Sequence, residues 1–132
     1  MTYIVHFNNQ FAVEFANYPI AQQDAVLTFA QTFQQHGLGD FTRYQGKISP
    51  SWAGLDPSDP VYLYTTSNAL WHYHIGIPRY TVQHNKYMTS DVVLHFEWPY
   101  QGREIHLVDT YDHYRADRSF YIPPPQYLSG NQ

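Results

Sequence analysis

The chain has 132 residues, 43% of them apolar, which suits one domain with one core. It has no cysteine, so disulfides, thiol catalysis and thiolate metal sites are excluded. A formal charge of −4 argues against nucleic-acid binding by bulk electrostatics, but all seven Lys and Arg lie from Arg43 onward, so a local cationic site remains open.

Residues 2 to 7 and 11 to 15 are rich in β-branched and aromatic residues, with Asn8-Asn9 between them. They read as a first strand, or a short hairpin. A helix is expected from about 19 to 36. Asn17 is a candidate N-cap, Pro19 suits a first turn and Gly37 suits the position after the helix. Val26, Phe29, Ala30 and Phe33 fall at i, i+3, i+4, i+7 and make one apolar stripe. Residues 38 to 60 mix Gly, Pro, Ser and Asp, and DPSDP at 56 to 60 is turn chemistry, so a loop-rich connection with one helical turn is expected.

From Val61 the pattern reads as β. VYLYTT and ALWHYHIGI are expected strands, PRYTVQHNKYMTS a loop, and DVVLHFEW and REIHLVDT two further strands around PYQG. A four-residue turn at 99 to 102 pairs Trp98 with Arg103, Phe96 with Ile105 and Leu94 with Leu107. The opposite face then carries Glu97 with Glu104, His95 with His106 and Val93 with Val108. This register separates apolar from polar, as an antiparallel sheet with one buried face requires. The expected fold is α+β and a single domain over residues 1–132. An N-terminal β element and a helix pack on a three- to four-stranded antiparallel sheet. No segment reaches the ~20 apolar residues that span a bilayer, and MTYIVHFNNQF lacks a basic leader region. A soluble, cytoplasmic protein is expected.

Histidine is abundant, with eight copies, six of them from His72 to His113. His72 and His74 share one face of their strand, and His95 and His106 lie on a neighbouring polar face. Two histidines at i, i+2 on a strand are a known metal-ligand geometry, yet the chain has no compact His/His/carboxylate signature. The bland alternative is an exposed sheet face that carries histidine where other proteins carry Lys or Thr.

The segment DTYDHYRADRSFY, Asp109 to Tyr121, follows a strand end and holds a histidine, two arginines and three tyrosines. His113 can exchange protons near neutral pH. Arg115 and Arg118 can clamp a phosphate through paired hydrogen bonds. Tyr111, Tyr114 and Tyr121 can stack on bases. The competing reading is a solvated loop in which Asp112 and Asp117 neutralise the two arginines.

Three blocks carry a family resemblance: Leu70-Trp71-His72-Tyr73-His74-Ile75, then Thr89 to Phe96, then Ile105-His106-Leu107-Val108-Asp109 followed by His113-Tyr114-Arg115. Over roughly residues 60 to 121 the chain resembles the RelE/ParE superfamily of bacterial toxins, and within it YafO-type mRNA interferases of type II toxin-antitoxin systems. The resemblance implies a toxin that cleaves mRNA in the ribosomal A site without metal or other cofactor. The 2′-hydroxyl attacks the adjacent phosphate and leaves a cyclic phosphate and a 5′-hydroxyl. It implies catalytic roles for His113, Arg115, Tyr114, His72 and His74, and substrate contacts for His95, Arg118, Tyr121 and Arg79. It also implies a cognate antitoxin and ribosome-bound mRNA as partners, with no membrane and no DNA bound by the chain alone. The chain departs from the family in being acidic and in holding histidines where the family's strands hold lysines and arginines.

Two other classes stay open: a non-catalytic interaction protein, either a gyrase-directed toxin or a phage-type binding module, and a metal-binding β protein using His72, His74, His95 and His106. The C-terminal YIPPPQYL is read as a chain end lying along the surface or as an extended contact.

Overall fold

The computed structural model describes residues 2–83, 87–114, 117 and 119–131. Its strands are β1 (Ile4–Phe7), β2 (Ile48–Pro50), β3 (Leu70–Ile77), β4 (Thr81–Gln83), β5 (Tyr87–Thr89), β6 (Val92–Glu97) and β7 (Glu104–Asp112). Its helices are α1 (Asn9–Phe15), α2 (Ile20–His36) and α3 (Pro60–Ser67). The α+β class is as expected. The sheet is five-stranded and mixed, in the order β1-β7-β6-β3-β2, with β1 parallel to β7.

The helix stripe read from the sequence is the stripe that is buried. Val26, Phe29, Ala30 and Phe33 of α2 are inside, and the first, second and fourth pack on Trp71, Tyr73, Leu94, Phe96, Ile105 and Leu107 of the sheet. Gly37 ends α2 at φ 66°, a conformation that glycine adopts without the steric cost of a Cβ. Pro19, rather than Asn17, occupies the N-cap position, and the Asn17 amide instead donates to the Val13 carbonyl at 3.1 Å.

Two expected strands are helices. FAVEF is rich in β-branched and aromatic residues like a strand, but α1 buries Phe11 while leaving Val13 64% exposed. The rings of Phe7, Phe11, Phe15 and Tyr18 form an aromatic cluster that helical spacing brings together. VYLYTT forms α3 because Asp59 caps it, accepting from the Val61 N–H at 2.8 Å, with Pro60 in the first turn. Thr65 and Thr66 hydroxyls donate back to the Val61 and Tyr62 carbonyls, which offsets their strand preference. The expected loop at 78 to 90 contains the short β4–β5 pair.

The β6–β7 register differs by two residues from the expected one. Phe96 faces Leu107 and Glu97 faces His106, because the turn after Trp98 is longer than four residues. A shift of two keeps every side chain on its expected face. A bulge at Val108 then changes the pattern: His95 faces Asp109 and Val93 faces Tyr111. One extra residue in a ladder reverses the facing of all that follows. Asp109, Tyr111 and His113 are thereby turned to the face that carries His72, His74 and His95.

That second face is covered rather than exposed. Leu70, Val108 and Leu128 form a small cluster with Tyr64, Ile122 and Tyr127, so the YIPPPQYL segment is ordered against the sheet. The Tyr64 hydroxyl donates to the Pro123 carbonyl at 2.8 Å, the Asn8 amide donates to the Tyr127 carbonyl at 3.0 Å, and the Ser129 hydroxyl donates to Glu97. Among the described residues, no helix is long and apolar enough to cross a membrane.

Candidate active site

β3 places His72 and His74 two residues apart on the covered face, and the Val108 bulge brings His113 beside them from the end of β7. The His113 backbone N–H donates to the Asp91 carbonyl at 2.6 Å, which holds this residue beyond the strand. The ring centroids form a near-equilateral triangle: His72–His74 5.8 Å, His72–His113 5.3 Å and His74–His113 5.1 Å, the last pair stacked at 20°. Phe120 closes over them, 5.1 Å from the His72 ring and 4.7 Å from that of His113.

His72 and His74 are each anchored through Nδ1. His72 Nδ1 lies 3.0 Å from the Ser51 hydroxyl. His74 Nδ1 lies 2.8 Å from the Ser90 carbonyl oxygen and 3.0 Å from the Ser90 nitrogen. It cannot donate to one and accept from the other at once. The shorter contact favours donation to the carbonyl, which leaves a lone pair on Nε2. His113 Nδ1 is buried with no hydrogen-bond partner.

His74 and His113 open onto a cavity of about 430 Å³, lined also by Lys47, Tyr114, Asp91, Asp112, Thr81, Thr89 and Ser90. Lys47 arrives there because the chain before β2 crosses β3 closely, with the His74 N–H donating to the Lys47 carbonyl at 3.0 Å. The approach requires Gly46, where an added Cβ would lie 1.9 Å from the His74 carbonyl oxygen.

Burial sets the charge state. It lowers the His113 imidazole to about 4, helped by His74 and Lys47 nearby. It holds His72 well below the usual histidine value, with His95, His113, His74 and Lys47 adding to the effect. It also lowers His74, against the opposing hydrogen bond to Ser90. All three are therefore neutral at pH 7, each with a ring lone pair that can take a proton.

His72, His74, His113 and Tyr114 come together as the sequence suggested, and Tyr114 packs edge-on against His113 at 4.4 Å. His95 does not join the accessible site. It is 0% exposed, beneath Phe120 and Tyr121, and both ring nitrogens are buried without a partner, so its assignment to substrate contact is corrected. Tyr121 is likewise engaged inward. Its hydroxyl donates to Asp109 at 2.5 Å and its ring stacks on Tyr111 at 4.2 Å, which takes it away from base stacking. Arg79 is exposed and does not line the cavity. His106 lies elsewhere, stacked on His6 at 4.5 Å, so a metal set containing His95 and His106 is also corrected. Arg115 and Arg118 lie outside the described residues.

Lys47, Ser51, Ser90 and Phe120 complete the site, and sequence reasoning missed them. Lys47 carried a signal, being one of only seven cations and following a glycine. Its place beside His74 depends on the β2–β3 pairing, which three residues of irregular sequence do not announce.

Comparison of the chain with protein-family models, with curated proteins and with solved structures found no match.

Proposed function

We propose that the chain is a RelE/ParE-like toxin that cleaves RNA by metal-independent transfer to the 2′-hydroxyl. The observation that carries this reading is the pairing of His74 and His113 on one wall of a cavity that Lys47 and Tyr114 also line. Cleavage of this kind needs a base for the 2′-hydroxyl, an acid for the leaving 5′-oxygen and a cation near the phosphorane. A neutral imidazole takes the 2′-hydroxyl proton as oxygen bonds to phosphorus. The P–O5′ bond breaks, and the 5′-oxygen takes a proton from the second imidazole. That second ring is protonated once the phosphodiester is bound, because an adjacent negative charge raises its pKa. His113 and His74 fill these two roles, with His72 behind them. Lys47 opposes the developing charge, and Tyr114 is exposed at the rim for a base to stack on.

Under this reading the substrate is mRNA on the ribosome and the partner is an antitoxin that covers the cavity. The net charge of −4 leaves phosphate contact to the few local cations, so weak binding to free RNA is expected.

The test uses the purified full chain with programmed ribosomes and with a free oligoribonucleotide. Wild type is expected to yield a 2′,3′-cyclic phosphate end in the presence of a chelator. His113→Ala and His74→Ala are each expected to lower the rate about 100-fold or more. A single 2′-deoxy sugar at the cleaved position is expected to abolish the reaction there. Absence of cleavage by a folded wild-type chain on both substrates would sink the proposal. Growth arrest that persists in the histidine variants would favour a gyrase-type binding toxin instead.

A further inference from the structure

The three histidines have a second competence that proton transfer does not use. We propose that His72, His74 and His113 form a binding site for one divalent transition-metal ion such as Zn²⁺, and that occupancy and RNA cleavage exclude each other. The second half rests on the ribonuclease reading; the first half does not.

One ligand atom from each of the three lies within 4.8 Å of the others. Tetrahedral zinc with bonds of about 2.0–2.1 Å places its nitrogens about 3.4 Å apart, so ring rotations of about an ångström close the triangle. The rings are supported as metal-ligating histidines usually are. Nδ1 of His72 meets the Ser51 hydroxyl and Nδ1 of His74 meets the Ser90 carbonyl, leaving Nε2 of each for a ligand. His113 has a buried nitrogen with no hydrogen-bond partner, an arrangement that a bound ion relieves.

An all-imidazole donor set suits zinc, copper or nickel and does not suit magnesium or calcium. His74 and His113 also face the cavity of about 430 Å³, so a fourth position has room for water. An ion held by these nitrogens occupies the lone pairs that would take up and return protons. Bound metal therefore removes both acid and base from the reaction above.

The experiment titrates the metal-stripped full chain with Zn²⁺ against a chromophoric chelator and records the visible spectrum with Co²⁺. One equivalent is expected to bind, and the Co²⁺ spectrum is expected to show the intense bands of a four-coordinate ion. His113→Ala and His74→Ala are expected to weaken binding about 100-fold or more, and the peripheral His106→Ala to leave it unchanged. His113→Gln, which keeps a side chain under Phe120, serves if the alanine variant is unfolded by circular dichroism. No stoichiometric binding would overturn the proposal, as would binding unaffected by the His74 and His113 substitutions.

In cleavage assays, activity is expected to fall in proportion to zinc occupancy and to return with chelator. Cleavage that requires zinc, or ignores it, would overturn the exclusion. A chain that binds one zinc but cleaves no RNA in either state would sink the ribonuclease reading and leave the metal site standing.

Discussion

The two faces of the central sheet are built on the same strands and obey opposite rules. Toward α2, β3, β6 and β7 present Trp71, Tyr73, Leu94, Phe96, Ile105 and Leu107, and burial of each is favourable. On the other side the same strands present His72, His74, His95, Glu97 and Asp109, all buried as well. Burial raises the Asp109 carboxyl to about 7 and lowers His95 to about 3, so burial penalises the charged forms of these two groups. The first face stabilises the fold, and the second draws on that stability to hold reactive groups in fixed positions. Alternation along a strand makes this economical, because rigidity from one face is transmitted to the other through a single backbone.

The largest effect is expected where the first face is broken. Phe96 is 0% exposed and its ring lies 5.3 Å from that of Phe29. Phe96→Ala should cost about 4 kcal/mol in urea unfolding at pH 7.5. A loss below about 1 kcal/mol would show that this face is not the stabilising one. The next effect lies at the junction of the two faces. In Gly46→Ala the new Cβ meets the His74 carbonyl oxygen, a backbone atom that cannot swing aside, and the β2 segment must move away. A loss of about 3 kcal/mol is expected, together with loss of Lys47 from the cavity. Gly39→Ala, where a Cβ meets nothing within 4 Å, should stay within about 0.5 kcal/mol of wild type. Equal effects at the two glycines would remove the claim that close approach at Gly46 positions the lysine.

The first face was legible in the sequence and the second was legible only in part, for a physical reason. The α2 stripe and the β3, β6 and β7 alternation are periodic, and apolar periodicity reports burial directly. Histidines on the opposite face look the same whether water or protein covers them. What covers them is Phe120 and Tyr121, while Ile122, Tyr127 and Leu128 cover Leu70 and Val108 beside them. The Val108 bulge left no mark in composition, yet it brings His113 to His72. FAVEF and VYLYTT have strand propensity, but it is overridden by aromatic packing at helical spacing in the first and by the Asp59 cap in the second.

The difference between the faces sharpens with acid. A histidine whose folded pKa lies below its unfolded value adds stability above about 6.5 that is lost as pH falls toward the folded value. His95, His113, His72 and His74 all act in this direction. Asp109 acts oppositely: its raised carboxyl makes the fold most stable below about 4 and less so as pH rises toward about 7. Comparing variants isolates one member. Between pH 7.5 and pH 5, wild type should lose about 2 kcal/mol relative to His95→Leu, since only unfolded His95 is protonated at pH 5. A pH-independent difference would mean that His95 titrates alike in both states.

The smallest effect is the most discriminating. At pH 7.5, where His95 is neutral in both states, His95→Leu should stabilise the chain by about 1 kcal/mol. Both ring nitrogens are buried without partners, and removing an unsatisfied polar group recovers its desolvation cost. Leucine also suits the neighbours, since the apolar rings of Phe120 and Tyr121 lie 6.1 and 5.6 Å from the imidazole. A substitution that stabilises the fold identifies a residue retained for another purpose, here to sit beneath the His72–His74–His113 triangle, whose His72 ring lies 6.0 Å away. If His95→Leu instead destabilises at pH 7.5, the imidazole has a partner such as a bound water, and the second face is as well satisfied as the first. Chemical denaturation of the two proteins side by side separates these outcomes, because they differ in sign.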